Sequence, residues 1–162
     1  MCWLCDHPEA MHSDYLENIR EMIACYGFAV QRVEAPRRRP LWSYTVGLTA
    51  YDKPELVVTG MSMPRSTLLL NDVASHVLNA DALRPGEQFP LRHGPLIEIV
   101  EVTEPTVYLR TAVEIFGPKI RALQLVHADD RGHWPWEAGF RSNLGQPVLG
   151  VRIARQLAGG GA

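Results

Sequence analysis

The sequence has no long hydrophobic run, few cysteines and no large excess of either charge. No apolar stretch approaches the roughly 20 residues that a membrane-spanning helix needs, so no membrane association is expected. The formal net charge of -2 argues against coating nucleic acid by charge alone, and free DNA binding is not expected. The first residues include acidic side chains but no Lys or Arg, so no secretory signal is expected and a cytoplasmic location is predicted.

Motifs of the common enzyme classes are also missing. No Gly-rich loop has either of the standard spacings that cradle phosphate, and no Ser lies in a nucleophile elbow. Three cysteines are too few for a disulfide framework and fit a reducing compartment. Hydrophobic residues make up 46% of the 162 residues and charged residues 21%, which is enough for one domain with a proper core.

Alternation of apolar and polar residues predicts a pair of strands at the centre of the chain. In residues 42–50 every second position is apolar, namely Trp42, Tyr44, Val46, Leu48 and Ala50. This period of two is typical of a half-buried strand. After a break at Asp52 to Pro54, a continuous apolar run predicts a second strand over residues 56–59, covered on both faces. We expect these two strands to be neighbours inside a sheet.

Two amphipathic helices are predicted to cover that sheet. The first spans about residues 14–26, and its apolar face consists of Tyr15, Leu16, Ile19, Met22, Ile23 and Tyr26. The second begins near Pro64, a residue suited to the first helical turn, and runs to about residue 79.

The predicted fold is a single α+β domain with a mixed or antiparallel sheet covered by two main helices. This domain is expected to span residues 13–150. Residues 1–12 form a candidate metal-binding segment, and residues 151–162 are predicted to be a flexible tail because they end in three glycines before Ala162. Residues 81–95 are predicted to be a loop, because they are rich in Pro and Gly.

The main chemical signal lies near the N-terminus, where Cys2, Cys5 and His7 stand close together. Two cysteines separated by two residues can present both sulfurs to one ion, and thiolate with imidazole suits Zn²⁺. A closed site needs a fourth ligand, and a second cysteine pair is missing. The candidates for that ligand are His12, Cys25, His93, His127 and His133. The alternative interpretation is two ordinary reduced cysteines in a terminal segment.

A short basic run forms a second group of candidate residues. Arg37, Arg38 and Arg39 lie between two prolines in a predicted loop. Consecutive arginines can grip phosphate groups, so these residues are candidates for binding a polyanion. The alternative is a solvated loop tip, since three residues fall short of the usual basic cluster.

The third group follows the last predicted strand. Asp129 and Asp130 lie in an Asp-Asp-Arg-Gly turn, and with His133 they offer ligands for a cation, although such a turn is more often only structural. Trp134 and Trp136 flank a proline and make a rigid aromatic corner. This corner either caps the core or forms one wall of a pocket.

These motifs, taken in order, resemble a bacterial family known as domain of unknown function 4262. The matching segments are residues 2–8, 42–49, 54–60, 122–126, 129–132 and 134–136. A mycobacterial zinc-responsive factor that recruits a hibernation protein to ribosomes is similar to this family. The resemblance therefore implies a zinc-sensing, ribosome-associated adaptor involved in stress response. Tyr26 stands where relatives often carry His, so a ligand at that position would be lost here.

Two functions remain open. The first is a cytosolic, non-enzymatic regulator or adaptor with one zinc site. The second is a small metal-dependent enzyme whose pocket includes Asp129, Asp130, Trp134 and Trp136. The first is favoured because the titratable residues form no recognisable acid–base or nucleophile set. Zinc sites with mostly sulfur ligands are usually structural or sensory.

Overall fold

The computed structural model describes residues 6–33, 41–80 and 82–153. Its centre is an open six-stranded sheet in the order β1-β2-β3-β6-β5-β4. The strands are β1 (Ala29–Val33), β2 (Trp42–Val46), β3 (Glu55–Thr59), β4 (Gln88–Pro90), β5 (Leu96–Glu101) and β6 (Ala122–His127). Neighbouring strands are antiparallel except β3 and β6, which are parallel. The predicted α+β class is confirmed, and the sheet is mixed.

Helices cover both faces of this sheet. The two main helices are α1 (His12–Tyr26) and α2 (Met63–Asn79), and two short helices, α3 (Pro105–Tyr108) and α4 (Arg110–Phe116), follow β5. α2 packs on one face, while α1 and α4 pack on the other. Leu56 and Val58 join the core under α2, and Val57 joins the core under α1. The continuous apolar run in β3 therefore serves both faces, as the sequence predicts. None of the helices within the described ranges combines the length and apolar character needed to cross a bilayer.

The predicted pairing of the two central strands is confirmed, but the first of them ends earlier than expected. β2 stops at Val46, and a short 3₁₀ helix (Leu48–Tyr51) replaces the second half of the predicted strand. Gly47 has φ 136°, and a Cβ at this position would lie 2.6 Å from the carbonyl oxygen of Gly27. Only glycine fits this close approach, so the chain turns here although the apolar alternation continues.

Two smaller expectations are corrected. The segment predicted as a loop contains β4, a three-residue strand at the edge of the sheet, where its terminal Pro90 is tolerated. Tyr26 was assigned to the apolar face of the first helix, but it is 75% exposed. It is the last residue of α1, and Gly27 ends the helix immediately after it.

The buried carboxylate of Glu55 fixes the turn that follows β2. Its oxygens accept hydrogen bonds from the backbone N–H groups of Gly47, Leu48 and Thr49 and from the hydroxyl groups of Thr45 and Thr49, at 2.7–3.3 Å. Glu55 is 0% exposed. A carboxylate tolerates such burial only when its oxygens are saturated by donors, and this network meets that condition.

We predict that Glu55→Ala destabilises the domain strongly. The substitution leaves several buried N–H and O–H donors without an acceptor, and each such group costs about 1–3 kcal/mol. The unfolding midpoint in urea, followed by circular dichroism, should therefore fall sharply. The exposed Glu101 offers a matched control, and Glu101→Ala should change the free energy of unfolding by no more than about 0.5 kcal/mol. Equal midpoints for the two variants would contradict the structural role of Glu55.

Candidate functional site

A cavity of about 530 Å³ opens where the parallel strands β3 and β6 end. Three segments line it: the turn from β3 into α2, the residues that follow β6, and the loop of residues 140–144. The carboxyl ends of adjacent parallel strands commonly border ligand-binding crevices, because the chain leaves both strands at the same edge. Its volume lies in the range of small-molecule sites.

The walls of the cavity are held together by a close backbone contact. Gly60 follows β3 and has φ 67°, and a Cβ there would lie 1.9 Å from the carbonyl oxygen of Gly145. Glycine at this position lets the segment after residue 140 approach the β3–α2 turn directly. The two sides of the cavity are therefore fixed relative to each other by main-chain packing.

Two glutamine side chains fasten the C-terminal segment to the ends of the same strands. The side-chain oxygen of Gln146 accepts a hydrogen bond from the backbone N–H of His127, and its side-chain nitrogen donates one to the backbone carbonyl of His127, both at 2.9 Å. Gln124 donates to the hydroxyl oxygen of Thr59 at 2.9 Å and to the carbonyl of Pro147 at 2.8 Å, and its oxygen accepts the N–H of Leu149 at 2.7 Å. Side-chain amides thus supply the bonds that a further strand would otherwise make.

His127 forms part of the cavity wall, and its ring is held by the backbone. Nε2 lies 3.2 Å from the carbonyl oxygen of Thr59, so this nitrogen carries the proton of the neutral ring. Burial lowers the pKa of His127 below its usual value, and the positive charge of Arg65 lowers it further, whereas the bond to Thr59 opposes this shift. His127 is therefore neutral at pH 7.

Asp129 links two loops at the cavity through its carboxylate. Oδ1 accepts the backbone N–H groups of Arg131 and His133 at 2.9 Å, and Oδ2 accepts that of Arg141 at 3.0 Å. Its side chain is 5% exposed. Burial alone would raise the pKa of Asp129, but the three backbone donors outweigh it and lower the pKa below 3.8. Asp129 therefore stays ionised and holds the loops together.

The other residues predicted for a pocket lie in different environments. Asp130 is exposed and borders the cavity. Trp134 and Trp136 stack with ring centroids 5.2 Å apart, in a core cluster with Val100 and Val126. Neither tryptophan is among the residues that line this cavity.

The guanidinium of Arg152 covers the aromatic corner from outside. It lies 3.5 Å from the centroid of the Trp136 ring and makes two hydrogen bonds to the buried carboxylate of Glu98, at 2.7 and 3.0 Å. The pKa of Arg152 is raised by these bonds. The ion pair with Glu98 on β5 therefore holds Arg152, which the sequence assigns to the flexible tail, against the sheet.

The candidate metal ligands are distributed over both faces of the sheet. Cys2 and Cys5 lie outside the described residues, as do Arg37, Arg38 and Arg39. His7 and His12 are exposed, and Nε2 of His12 lies 2.8 Å from Oε2 of Glu114 on α4. Cys25 and His93 are also exposed.

His127 and His133 lie near the cavity instead. His127 lies on the same face of β6 as Leu125, which belongs to the core under α2. Nδ1 of His133 is 3.7 Å from Oδ2 of Asp129. No group of three His, Cys, Asp or Glu side chains in residues 6–33, 41–80 and 82–153 is arranged to hold a metal ion. The five histidines that the sequence offers for zinc thus form no such group among the described residues, and the prediction needs at most one of His12, His93, His127 and His133 beside Cys2, Cys5 and His7.

Comparison with protein families gives one match, to domain of unknown function DUF4262, over residues 22–141. The chain belongs to this family. The match includes β1 to β6 and most of the residues that line the cavity, whereas Cys2, Cys5, His7 and His12 precede it. No curated protein and no solved structure matched the chain.

Several residues at the cavity of this DUF4262 domain were not predicted from the sequence. Arg65 resembles an ordinary exposed helix residue, and Arg141 lies in a segment without periodicity, so neither carried a signal. Gln124 did carry one, because it is a polar residue in a strand that is otherwise apolar up to His127. A buried polar residue must find hydrogen-bond partners, and Gln124 finds two of them in Thr59 and Pro147, which adjoin the strand end and the segment beside the cavity.

We predict that Asp129 contributes a pH-dependent part of the stability. Because its folded pKa is depressed, this contribution is fully present above the unfolded value of about 3.9 and is lost as pH falls through the folded pKa. Asp129→Asn should therefore lower the urea midpoint at pH 6, and its difference from the wild type should shrink below pH 4. The matched variant Asp130→Asn, at the exposed neighbour, should show no such convergence. A constant difference between Asp129→Asn and wild type at every pH would contradict this account.

Proposed function

We propose that this DUF4262 protein is a cytosolic, non-enzymatic regulator or adaptor whose N-terminal segment binds zinc. The observation that supports a non-catalytic role is the use of the cavity's acid and base to hold backbone groups. Asp129 accepts three backbone N–H groups, and Nε2 of His127 donates to the Thr59 carbonyl. The lone pair of His127 is then on Nδ1, which faces the side-chain amide of Gln146 at 3.5 Å. A general base needs a free lone pair directed at its substrate, and in this structure both side chains direct their acceptor atoms at protein N–H groups.

The hydroxyl groups at the cavity lack the partners of an activated nucleophile. Ser142 lines the cavity, and its oxygen accepts the backbone N–H of Leu144 at 3.3 Å. No His, Asp or Glu side chain makes a hydrogen bond to this hydroxyl within the described part of the chain. A nucleophilic Ser needs a base within hydrogen-bond reach, so the metal-dependent enzyme has less support than the regulator.

The N-terminal segment lies beside the folded domain. Among the described residues, the three core clusters contain none before Tyr15, and residues 6–9 are exposed. The described core therefore does not include His7, and the proposal requires that the core also form without Cys2 and Cys5. Binding of zinc can order this segment while the domain persists, which is the behaviour expected of a sensor.

The contact between His12 and Glu114 favours His12 as the fourth ligand. With Nε2 bonded to the carboxylate of Glu114, Nδ1 is left for a metal ion. Metal-binding histidines usually bond a carboxylate or carbonyl through the other ring nitrogen, which fixes the ring and increases its basicity. In this proposal Glu114 would orient His12, and zinc would join the N-terminal segment to α4.

We predict that protein purified without chelator under reducing conditions contains one zinc ion. The double variant Cys2→Ser, Cys5→Ser should lose it, with little change in far-ultraviolet circular dichroism, while Cys25→Ser retains it. Affinity should fall below about pH 6, because thiolates and imidazole must be deprotonated to bind. Glu114→Gln should weaken zinc binding by about 10–100-fold, whereas His127→Gln should leave it unchanged.

X-ray absorption at the zinc edge separates the regulator from the enzyme. Four protein ligands support the regulator, and three ligands plus water support the metal-dependent enzyme. Wild-type protein that neither contains nor takes up zinc would contradict both.

The proposed partner is a ribonucleoprotein such as the ribosome, bound through Arg37, Arg38 and Arg39. Changing all three to Ala should weaken co-sedimentation with ribosomes and reduce the salt slope, by about two units if each arginine contacts one phosphate. A control variant with Ala at the exposed Arg84, Arg92 and Arg110 alters the net charge equally and should bind as the wild type does. If the triple variant at Arg37, Arg38 and Arg39 binds ribosomes as the wild type does, these arginines have no role in binding and the alternative, a solvated loop, is correct.

A further inference from the structure

We propose that the cavity at the ends of β3 and β6 binds a small molecule through its phosphate or carboxylate group, held by the guanidinium groups of Arg65 and Arg141. Both arginines line the cavity, one from the first turn of α2 and the other from the facing loop. The inference is independent of the zinc site, because it concerns a different part of the domain and an anion rather than a cation.

Both arginines are exposed cations. Neither guanidinium makes a hydrogen bond or an ion pair in the part of the chain that the structure describes. Some arginines find carboxylates, since Arg152 bonds Glu98 and Arg121 lies beside Asp52. The guanidinium groups of the exposed Arg84, Arg92 and Arg110 make no such contact among the described residues either, but they do not line the cavity. The carboxylate closest to Arg141 along the wall, that of Asp129, is occupied by three backbone N–H groups. Guanidinium groups match the oxygen geometry of phosphate and carboxylate ligands, which leaves such an oxyanion as the fitting partner.

The backbone around both arginines is fixed before any ligand binds. Asp129 accepts the N–H of Arg141 and so anchors that residue at its main chain. The close contact between Gly60 and Gly145 holds the β3–α2 turn, which leads to Arg65, against the opposite loop. Fixed backbone positions lower the entropic cost of bringing two guanidinium groups to one anion, compared with side chains on two mobile loops.

Neutral groups of the cavity suit the same ligand. Ser62, Ser142 and Asn143 add polar side chains to the lining, and the first turn of α2 contains no acidic residue. A volume of about 530 Å³ leaves room for an organic body beside the anionic group. Phe140 and Leu144 supply apolar surface for that body.

Two carboxylates in the lining, those of Asp129 and Asp130, oppose an anion. Asp129 directs its oxygens at three backbone N–H groups, whereas no such bond is made by Asp130 among the described residues. Its carboxylate is exposed and borders the cavity. The two guanidinium groups can contact the oxygens of the anion directly, whereas solvent screens the repulsion between the anion and the exposed Asp130. Removing the charge of Asp130 should therefore strengthen binding, while removing either arginine should weaken it.

Titration of the full chain with inorganic phosphate and with succinate, at constant ionic strength, tests the proposal by nuclear magnetic resonance. We expect saturable shifts of backbone amides around Arg65 and residues 141–143 for at least one of the two ions. Arg65→Gln and Arg141→Gln should each weaken that binding about tenfold, as expected for loss of a charge-assisted hydrogen bond. Asp130→Asn should strengthen it about twofold or more, in line with an exposed charge interaction.

Arg84→Gln serves as the matched control, because Arg84 is exposed, does not line the cavity and removes the same charge. It should change the dissociation constant by less than about twofold. The proposal is overturned if neither ion gives saturable shifts, or if Arg84→Gln weakens binding as much as Arg65→Gln, which would mean an adventitious ion only. All of these substitutions lie at exposed residues, so the fold should persist, and their zinc content should equal that of the wild type.

Discussion

The parallel pairing of β3 with β6 is the constraint on which the rest of the structure depends. Parallel neighbours cannot be joined by a tight turn, so the chain leaves β3, forms α2, β4, β5 and two short helices, and returns beside it. Both strands then end at the same edge of the sheet, which brings Thr59 and His127 within hydrogen-bond distance. The cavity lies between the two segments that continue from these strand ends, namely the turn into α2 and the residues that follow β6.

Buried polar side chains in this domain form hydrogen bonds to backbone groups and so hold turns and loops in place. Glu55 holds the turn after β2, Asp129 joins two loops, and Gln124 and Gln146 fasten a segment that has no strand pairing of its own. Each is satisfied by several partners, as burial requires. This explains how residues 139–150 pack in a fixed conformation although they form no helix or strand. The acid and the base beside the cavity, Asp129 and His127, likewise bond backbone groups.

The sequence predicts the layers of this fold better than its edges and its cavity. Periodicity identifies β2, β3, α1 and α2 because burial on one face forces a repeat of two or about 3.6 residues. It fails at Gly47, where a main-chain contact with Gly27 ends the strand while the apolar alternation continues. It cannot find Arg65 and Arg141 as lining of one cavity, because they lie 76 positions apart in the sequence and the β3–β6 pairing brings their segments to the same edge of the sheet. For the same reason the sequence does not decide whether the aromatic corner belongs to the core or to a pocket. Its neighbours Val100 and Val126 come from strands of the sheet.

The two proposed ligands would bind on different sides of the sheet. His12 and Glu114 lie with α1 and α4, whereas Arg65 lies on α2 and shares its cavity with the end of β6. Any influence of zinc on the cavity must pass through the close-packed strands that separate the two sites. One link in that path is the hydrogen bond that the backbone N–H of Thr111 donates to the hydroxyl oxygen of Tyr44. That contact is buried, and such interiors transmit a change only where they have a second arrangement to adopt. Because binding effects between two sites are reciprocal, a cavity that responds to zinc would also change zinc affinity when filled. A single saturated hydrogen-bond network in β2 and β3, centred on Glu55, offers no such alternative, so zinc and the anion should act as separate inputs to one domain.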